Sequence, residues 1–318
     1  MNYEINEGTL AVLPSKEKSK VLEDKKEYVI DSTPYEIMDY SCKYFGSSYE
    51  GRKEGTKDIY WRIIRINGDG SIRMIYSGTT APTESTKVVM TGTGTQIGTS
   101  YFNSSYNNPS YVGYMFTASQ QHGTSISSTI KTAIDNWYKT TTLETDAATK
   151  ALVSQDQIFC NDRSATTSKS GTPGEISGSM STSTTYYYGA YVRLVTNKSP
   201  QLICPTASDK FTVNTSNGNG ALTYPVGLIT ADEVAMAGGV YGSSNSSYYL
   251  YTNQYYWLGS PYTFRSGRAA AAGFVVRSYG AVGADDVGDN DGARPVVSLS
   301  SKAKLSGSGT YSNPYTVS

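Results

Sequence analysis

The chain has 318 residues, 27 Lys plus Arg against 27 Asp plus Glu, and only 17% charged residues. That length allows two ordinary domains, or one large domain with a small companion, and the charge balance excludes a molecule-wide polyanion-binding surface. An apolar fraction of 38% with 28 tyrosines excludes a disordered chain, and no apolar run reaches the roughly 18 residues of a membrane helix.

In chain order, the first 31 residues are studded with Lys16, Lys18, Lys20, Glu23, Asp24, Lys25 and Lys26. They lack the apolar core of a signal peptide. The expectation is a chain that stays in the cytoplasm, has lost a leader, leaves by a non-standard route, or rides on a phage particle. Residues 9–13 and 27–30 read as short strands. Thr33 and Pro34 read as a helix start, since threonine accepts a free amide and proline suits the first turn. Ile37, Met38, Cys42 and Phe45 then form one apolar stripe, with Cys42 facing the core, and Gly46 can end the helix. Composition shifts near Asp58 from charge-rich to Gly, Ser, Thr and Tyr. This predicts a small α/β module over 1–58 and a larger body over 59–318. Residues 1–58 hold nine Lys/Arg and twelve Asp/Glu, a net of −3. That sign makes a poor phosphate binder unless the basic residues cluster.

The body opens with a hairpin: a strand from Ile59 to Ile66, a turn over Asn67-Gly68-Asp69-Gly70, and a return from Ser71 to Tyr76. Ile126, Ile130, Ile134 and Trp137 recur at helix spacing. Thr230-Ala231-Asp232-Glu233 is a capping box ahead of Val234 and Met236. Residues 94–110 and 164–183 read as polar loops, and 273–276 and 295–299 as buried strands.

The chemistry-bearing residues are sparse. Cys42, Cys160 and Cys204 are not spaced as zinc ligands. Cys160 and Cys204 are either a disulfide or two small buried thiols. His122 is the single histidine, and Gln121-His122-Gly123 reads as a solvated loop. Asp285, Asp286, Asp289, Asn290 and Asp291 offer oxygen to a cation. Val287 falls where a ligand belongs, however, and no glutamate closes the loop. A solvated acidic loop is the reading, with no metal. Gly92-Thr93-Gly94-Thr95 lacks the lysine of a phosphate loop. The expectation is therefore a protein that binds rather than catalyses and needs no cofactor.

Two resemblances refine this. Tyr3-Glu4, Thr9-Leu10-Ala11-Val12-Leu13-Pro14 and the block from Ser41-Cys42-Lys43-Tyr44-Phe45-Gly46 through Gly55-Thr56 resemble the ComK competence-regulator family over about the first 58 residues. That implies a related N-terminal fold, with DNA binding as a secondary reading. Tyr60-Trp61-Arg62-Ile63-Ile64-Arg65, Tyr224-Pro225-Val226-Gly227, Tyr256-Trp257-Leu258-Gly259-Ser260-Pro261 and Gly292-Ala293-Arg294-Pro295-Val296-Val297-Ser298-Leu299 resemble C-type-lectin-fold proteins related to the formylglycine-generating enzymes. This second resemblance covers 59–318. The enzymes of that group act through late cysteines, and no cysteine follows Cys204 here. The overall expectation is an α+β protein with a C-type lectin fold.

Some proteins of that kind are diversified by retroelements through adenine-directed mutagenesis, which implies a varied C-terminal ligand surface at about 255–292. The residues agree with this implication. From Tyr255 to Asp291 there is no Lys, Glu, Gln or Met, every acid is Asp and every base is Arg. Tyrosine and arginine dominate binding hot spots, and Ser, Gly and Asn adapt hydrogen bonds. The candidate contacts are Tyr255, Tyr256, Tyr262, Thr263, Arg265, Arg268, Arg277, Tyr279, Ala281, Asp285, Asp286, Asp289 and Asp291. The expected partner is a protein or a glycan. The alternative is a regulator that binds DNA or a cellular partner through residues 1–58, with the lectin fold as sensor.

Overall fold

The structure, a computed structural model, describes residues 57–317 and, as strand segments, Tyr28–Ile30, Thr33–Ile37, Tyr44–Gly46 and Lys53–Glu54. The readings made on residues 9–13 and on Met38 and Cys42 lie outside the described residues. The fold is mixed α/β, mostly sheet, with few and short helices.

The predicted hairpin forms as Tyr60–Asn67 and Ile72–Tyr76, in register from Trp61↔Tyr76 to Ile66↔Ile72. Asn67 amide nitrogen donates to Ser71 oxygen, and Gly70 turns the chain at φ 84°. Val296–Leu299 returns from the far end of the chain to pair with Ile72–Tyr76, placing Val296 opposite Ile75 and Leu299 opposite Ile72. Start and end of the body are thereby joined in one antiparallel sheet. Thr33–Ile37 pairs with the Arg65–Asn67 end of the first hairpin strand, and Tyr44–Gly46 pairs with its Tyr60–Arg62 end. Residues on both sides of Asp58 thus share one sheet.

The helix expected from Thr33 to Gly46 is corrected here: Thr33–Ile37 and Tyr44–Gly46 are strands. Thr33, Tyr35 and Ile37 suit a strand by propensity. The open edge of Tyr60–Asn67 offers a ladder of backbone partners that outweighs one capping signal. Tyr28–Ile30 forms the predicted strand and hairpins with Thr33–Ile37.

The second sheet runs Ala165–Thr166, Tyr186–Tyr188, Tyr256–Arg265, Ala270–Val276, Val282–Asp286. Asn290–Ala293 joins Tyr256–Arg265 in parallel through Tyr256↔Gly292 and carries Gly98–Tyr101 on its other side. The expected loop over 94–110 therefore contains a strand. Thr129–Tyr138 is the longest helix among the described residues; Ser128 Oγ accepts from the Lys131 amide at its start. Ile126, predicted to share its stripe, precedes the helix in the two-residue strand Ile126–Ser127 and is exposed. Ile130 and Ile134 are fully buried. Trp137 packs edge-on to Trp61 and Tyr76 at 6.2 and 5.5 Å between ring centroids, tying helix to sheet.

Arg294, in the most specific stretch of the closing motif, is fully enclosed. It donates to the carbonyls of Tyr76, Thr95 and Leu250 and lies 4.7 Å above the Tyr256 ring. One buried side chain thus ties the hairpin strand at Tyr76 to the segments carrying Thr95 and Leu250 through their carbonyls.

Candidate ligand-binding face

Tyr256–Arg265 is the middle strand of the second sheet, and its pairing decides what shares a surface. Tyr187 stands opposite Thr263, Thr263 opposite Ala272, and Ala272 opposite Asp286. Direct cross-strand partners share a face, and neighbours along a strand alternate. Tyr187, Thr263, Ala272 and Asp286 therefore form one row, and Asp285 points to the opposite side.

On the first face, Arg265 reaches across the small side chains of Ala270 and Ala272 to ion-pair with Asp286. Arg268 contacts the other Asp286 oxygen at 3.2 Å. Burial and the neighbouring Arg268 charge hold the Arg265 guanidinium below its ordinary value. A register irregularity between Pro261 and Thr263 re-aims Tyr262. Its ring packs edge-on to Phe274 at 5.0 Å and beside Tyr191 at 5.1 Å, and its hydroxyl is 2.6 Å from that of Tyr241. Burial, then the bond to Tyr241, pushes the Tyr262 hydroxyl up.

On the second face, Arg277 lies over Gly283, where any side chain would collide with Arg277 Nε. Its guanidinium donates to the Tyr279 hydroxyl at 2.9 Å, which raises its basicity. Asp285 and Asp291 lie together beside it. Burial and the Asp285 charge push the Asp291 carboxyl up to about 7, and burial raises Asp285 as well. Asp289 is exposed and accepts from the Asp286 amide at 3.1 Å. Tyr255 is half-buried, with its carbonyl held by the Gly292 amide, and Tyr279 is 43% exposed.

Four predicted contacts do not reach the surface, among them Asp291, which is 9% exposed. Tyr256 is fully buried, donates to Leu250 oxygen at 3.0 Å and supports Arg294. Burial pushes its hydroxyl up to about 12. Ala281 is buried in the turn between Ala270–Val276 and Val282–Asp286, where its carbonyl accepts from the Arg277 amide. Thr263 is 3% exposed, and its hydroxyl has no partner. The remaining nine divide between the two faces and the Asp289 turn. Tyr187, Tyr191 and Tyr241 were not predicted. The alternation of Tyr186-Tyr187-Tyr188, with outer residues buried and the middle one half-exposed, was the available signal.

His122 is corrected. It is no solvated loop residue: its side chain is 13% exposed, with Nδ1 3.0 Å from both oxygens of buried Asp209 and Nε2 3.1 Å from Glu175. Arg163 also binds Asp209, through its amide and guanidinium. Together with Gln121, which donates to Arg163 and Gly174 oxygens, this cluster pins the loop that carries Glu175.

A polar cavity lies between the two sheets. Glu233 ion-pairs with both Arg65 and Arg73, and Arg193 bridges Asp162 and Asp232. The capping box forms as expected, with the Thr230 amide donating to Glu233 Oε2 at 2.8 Å. The same carboxylate thus caps a helix and neutralises two buried guanidiniums. Cys160 and Cys204 form a disulfide on the cavity wall, with Cα atoms 5.7 Å apart. No group of three or more His, Cys, Asp or Glu side chains suited to a metal occurs among the described residues. No helix of the described residues is long and apolar enough to cross a membrane.

Residues 1–64 match the ComK protein family. The competence transcription factor of Bacillus subtilis (strain 168) is 44% identical over 62 residues, covering 18% of this chain and 32% of that protein. The chain thus spans about a third of the length of the curated relative it matches. The match runs past Asp58 into Tyr60–Asn67, so the ComK-like segment ends inside the first strand of the hairpin. No solved structure matches the chain.

Proposed function

We propose that this chain is a regulator-type binding protein: its ComK-like segment engages DNA or a cellular partner, and its sheet-rich body senses a ligand. The observation that carries this reading is the family match over residues 1–64. Strand pairing supports the coupling. Thr33–Ile37 lies against Arg65–Asn67, Arg65 ion-pairs with Glu233, and the Ala231 amide of that same helix donates to Ser260 in the ligand-bearing strand. Binding is the proposed activity, with no catalytic step. The test is a gel shift of the full chain on duplex DNA at low and moderate salt. A complex that weakens as salt rises supports DNA contact through the basic residues near Lys16–Lys26. Silence at low salt removes the DNA arm and directs the search to a protein partner.

The second reading is a ligand-binding protein of C-type lectin fold that displays a diversified surface at about 255–292. Three observations favour it. The window without Lys, Glu, Gln or Met supplies nine partly or fully exposed candidate side chains on one sheet and its turns. The Cys160–Cys204 disulfide suits an oxidising compartment. The pairing of the closing Val296–Leu299 strand with the opening hairpin supports the lectin-type fold. Sequencing the DNA for residues 255–291 across one population tests diversification, with variation confined to adenine-template positions expected. Alanine at Tyr255, Arg265 and Tyr279 together should abolish ligand capture.

A further inference from the structure

We propose that Cys160–Cys204 is a reversible thiol–disulfide switch whose state is passed to the strands of the ComK-like segment. The proposal rests on the regulator reading: a protein that engages DNA works where thiols are kept reduced, and a disulfide there is regulatory rather than a permanent staple. The bond is placed for local opening. Ile158, Leu202 and Cys204, with Cys160 and Met236 against them, form a small cluster of their own, apart from the main core. Cys160 is half-buried, both cysteines line the polar cavity, and Ile203 on the same wall is 46% exposed. The stretch 198–206 contains no helix or strand. Its other ties to the body include the Gln201 amide, which donates to Asp232 at 3.0 Å, and the Thr206 hydroxyl, 3.2 Å from that of Ser164. Opening the bond therefore loosens one irregular stretch and leaves the packing of the main core in place.

A dithiol balances the exchange. Its thiolate attacks the sulfur of Cys160, the more exposed residue of the pair. The Cys160–Cys204 bond breaks, and Cys204 leaves as a thiolate that takes up a proton. The second thiol of the reagent then attacks the mixed disulfide, closes the reagent into its own disulfide and releases Cys160 as a thiol. Two electrons enter the protein, and the reverse exchange removes them. Contacts run from the bond to the ComK-like strands. The Arg73 guanidinium lies 4.8 Å from the ring centre of Phe159, the neighbour of Cys160, and donates to Ile158 oxygen at 3.3 Å. Arg73 shares Glu233 with Arg65, and Arg65 stands opposite Ile37 in the strand ladder. From the Cys204 side, Gln201 is tied to Asp232, and Met236 packs against the disulfide cluster. Asp232, Glu233 and Met236 all belong to the helix Ala231–Met236. Both halves of the disulfide thus bear on the one helix whose carboxylate holds the arginine beside the ComK-like strand.

The test is amide hydrogen exchange of the full chain, read by mass spectrometry, in oxidised and in reduced dithiothreitol. Reduction should speed exchange about tenfold over 198–206 and roughly threefold over Thr33–Ile37 and Tyr60–Asn67, while Ala270–Val276 stays within about twofold. Reoxidation should restore the first pattern. Cys204→Ser should show the reduced pattern in both buffers. Glu233→Gln, which weakens the relay and spares the disulfide, should keep the opening at 198–206 and lose the response at Thr33–Ile37. The native chain carries the decisive comparison, so the test stands if a variant does not fold. A native bond that dithiothreitol does not reduce, acceleration that includes Ala270–Val276, acceleration confined to 198–206, a redox response in Cys204→Ser, or an undiminished response at Thr33–Ile37 in Glu233→Gln would each overturn the proposal. A gel shift silent in both buffers sinks the DNA arm of the regulator reading alone, since the exchange pattern needs no DNA.

Discussion

Asp285 and Asp286 are consecutive in the chain and serve opposite faces of one sheet. Asp286 lies opposite Ala272 and gathers Arg265 and Arg268; Asp285 lies opposite Gly273 and sits with Asp291 and Arg277. Six acidic or basic side chains therefore form two separate electrostatic units, and the aspartates that read as one acidic loop in sequence are divided between them.

The first unit predicts a modest coupling. Arg265 and Asp286 are partly exposed, so their pairing should contribute only about 0.5–1 kcal/mol. A double-mutant cycle between Arg265→Ala and Asp286→Ala, read by urea denaturation, checks it; additivity within error would show that the pair contributes nothing.

The second unit predicts a pH effect. The Asp291 carboxyl titrates near 7 in the folded chain and near 3.9 when unfolded. The folded state therefore binds more protons between these values, and stability contributed by this group declines as pH rises from about 4 to about 7. Asp291→Asn removes the decline. It should raise stability at pH 8 by at least ~1 kcal/mol and change little at pH 4. Thermal melts across that range decide it, and an unchanged difference between native and variant at both pH values would refute the assignment.

Glu233 is the most consequential buried charge. Its carboxylate is shared by Arg65 and Arg73, with side-chain exposures of 2%, 4% and 1% respectively. Glu233→Ala leaves both guanidiniums without it and removes the reciprocal cap, so a loss of roughly 3–5 kcal/mol is expected. Glu233→Gln keeps the cap acceptor and should lose less. Equal small losses for both variants in chemical denaturation would argue against the buried triad.

The Cys160–Cys204 bond closes a loop with a sequence separation of 44, which should stabilise by roughly 2–4 kcal/mol. Reducing agent, or Cys204→Ser, should lower the melting temperature of the full chain. A melting temperature indifferent to reductant would show the bond absent in solution.

Local signals were legible where short-range physics decides. The Asn67–Gly70 turn, the Thr230–Glu233 capping box and the apolar strands ending at Val276 and Leu299 follow from turn chemistry, caps and periodicity. The Thr33 helix failed because the edge of Tyr60–Asn67, distant in sequence, offers backbone partners that a local reading cannot count. His122 failed for a similar reason: its partner Asp209 lies 87 residues away. Tyr256 was read as a contact because it falls in the 255–292 window. It is fully buried, with Arg294 4.7 Å above its ring, a contact no local pattern announces.

What the sequence determined by itself is the vocabulary: a ComK-like opening, a hairpin and a closing strand, and a window of Tyr, Arg and Asp without Lys or Glu. These are carried by residue identity and nearest-neighbour spacing. Which of those side chains meet was decided only by tertiary structure. Cross-strand register assigns each residue to a face, and a shift of one position reverses the assignment. The pairing of Tyr187 with Thr263, and the irregularity that turns Tyr262 toward Tyr191, arise from strands nearly 80 residues apart.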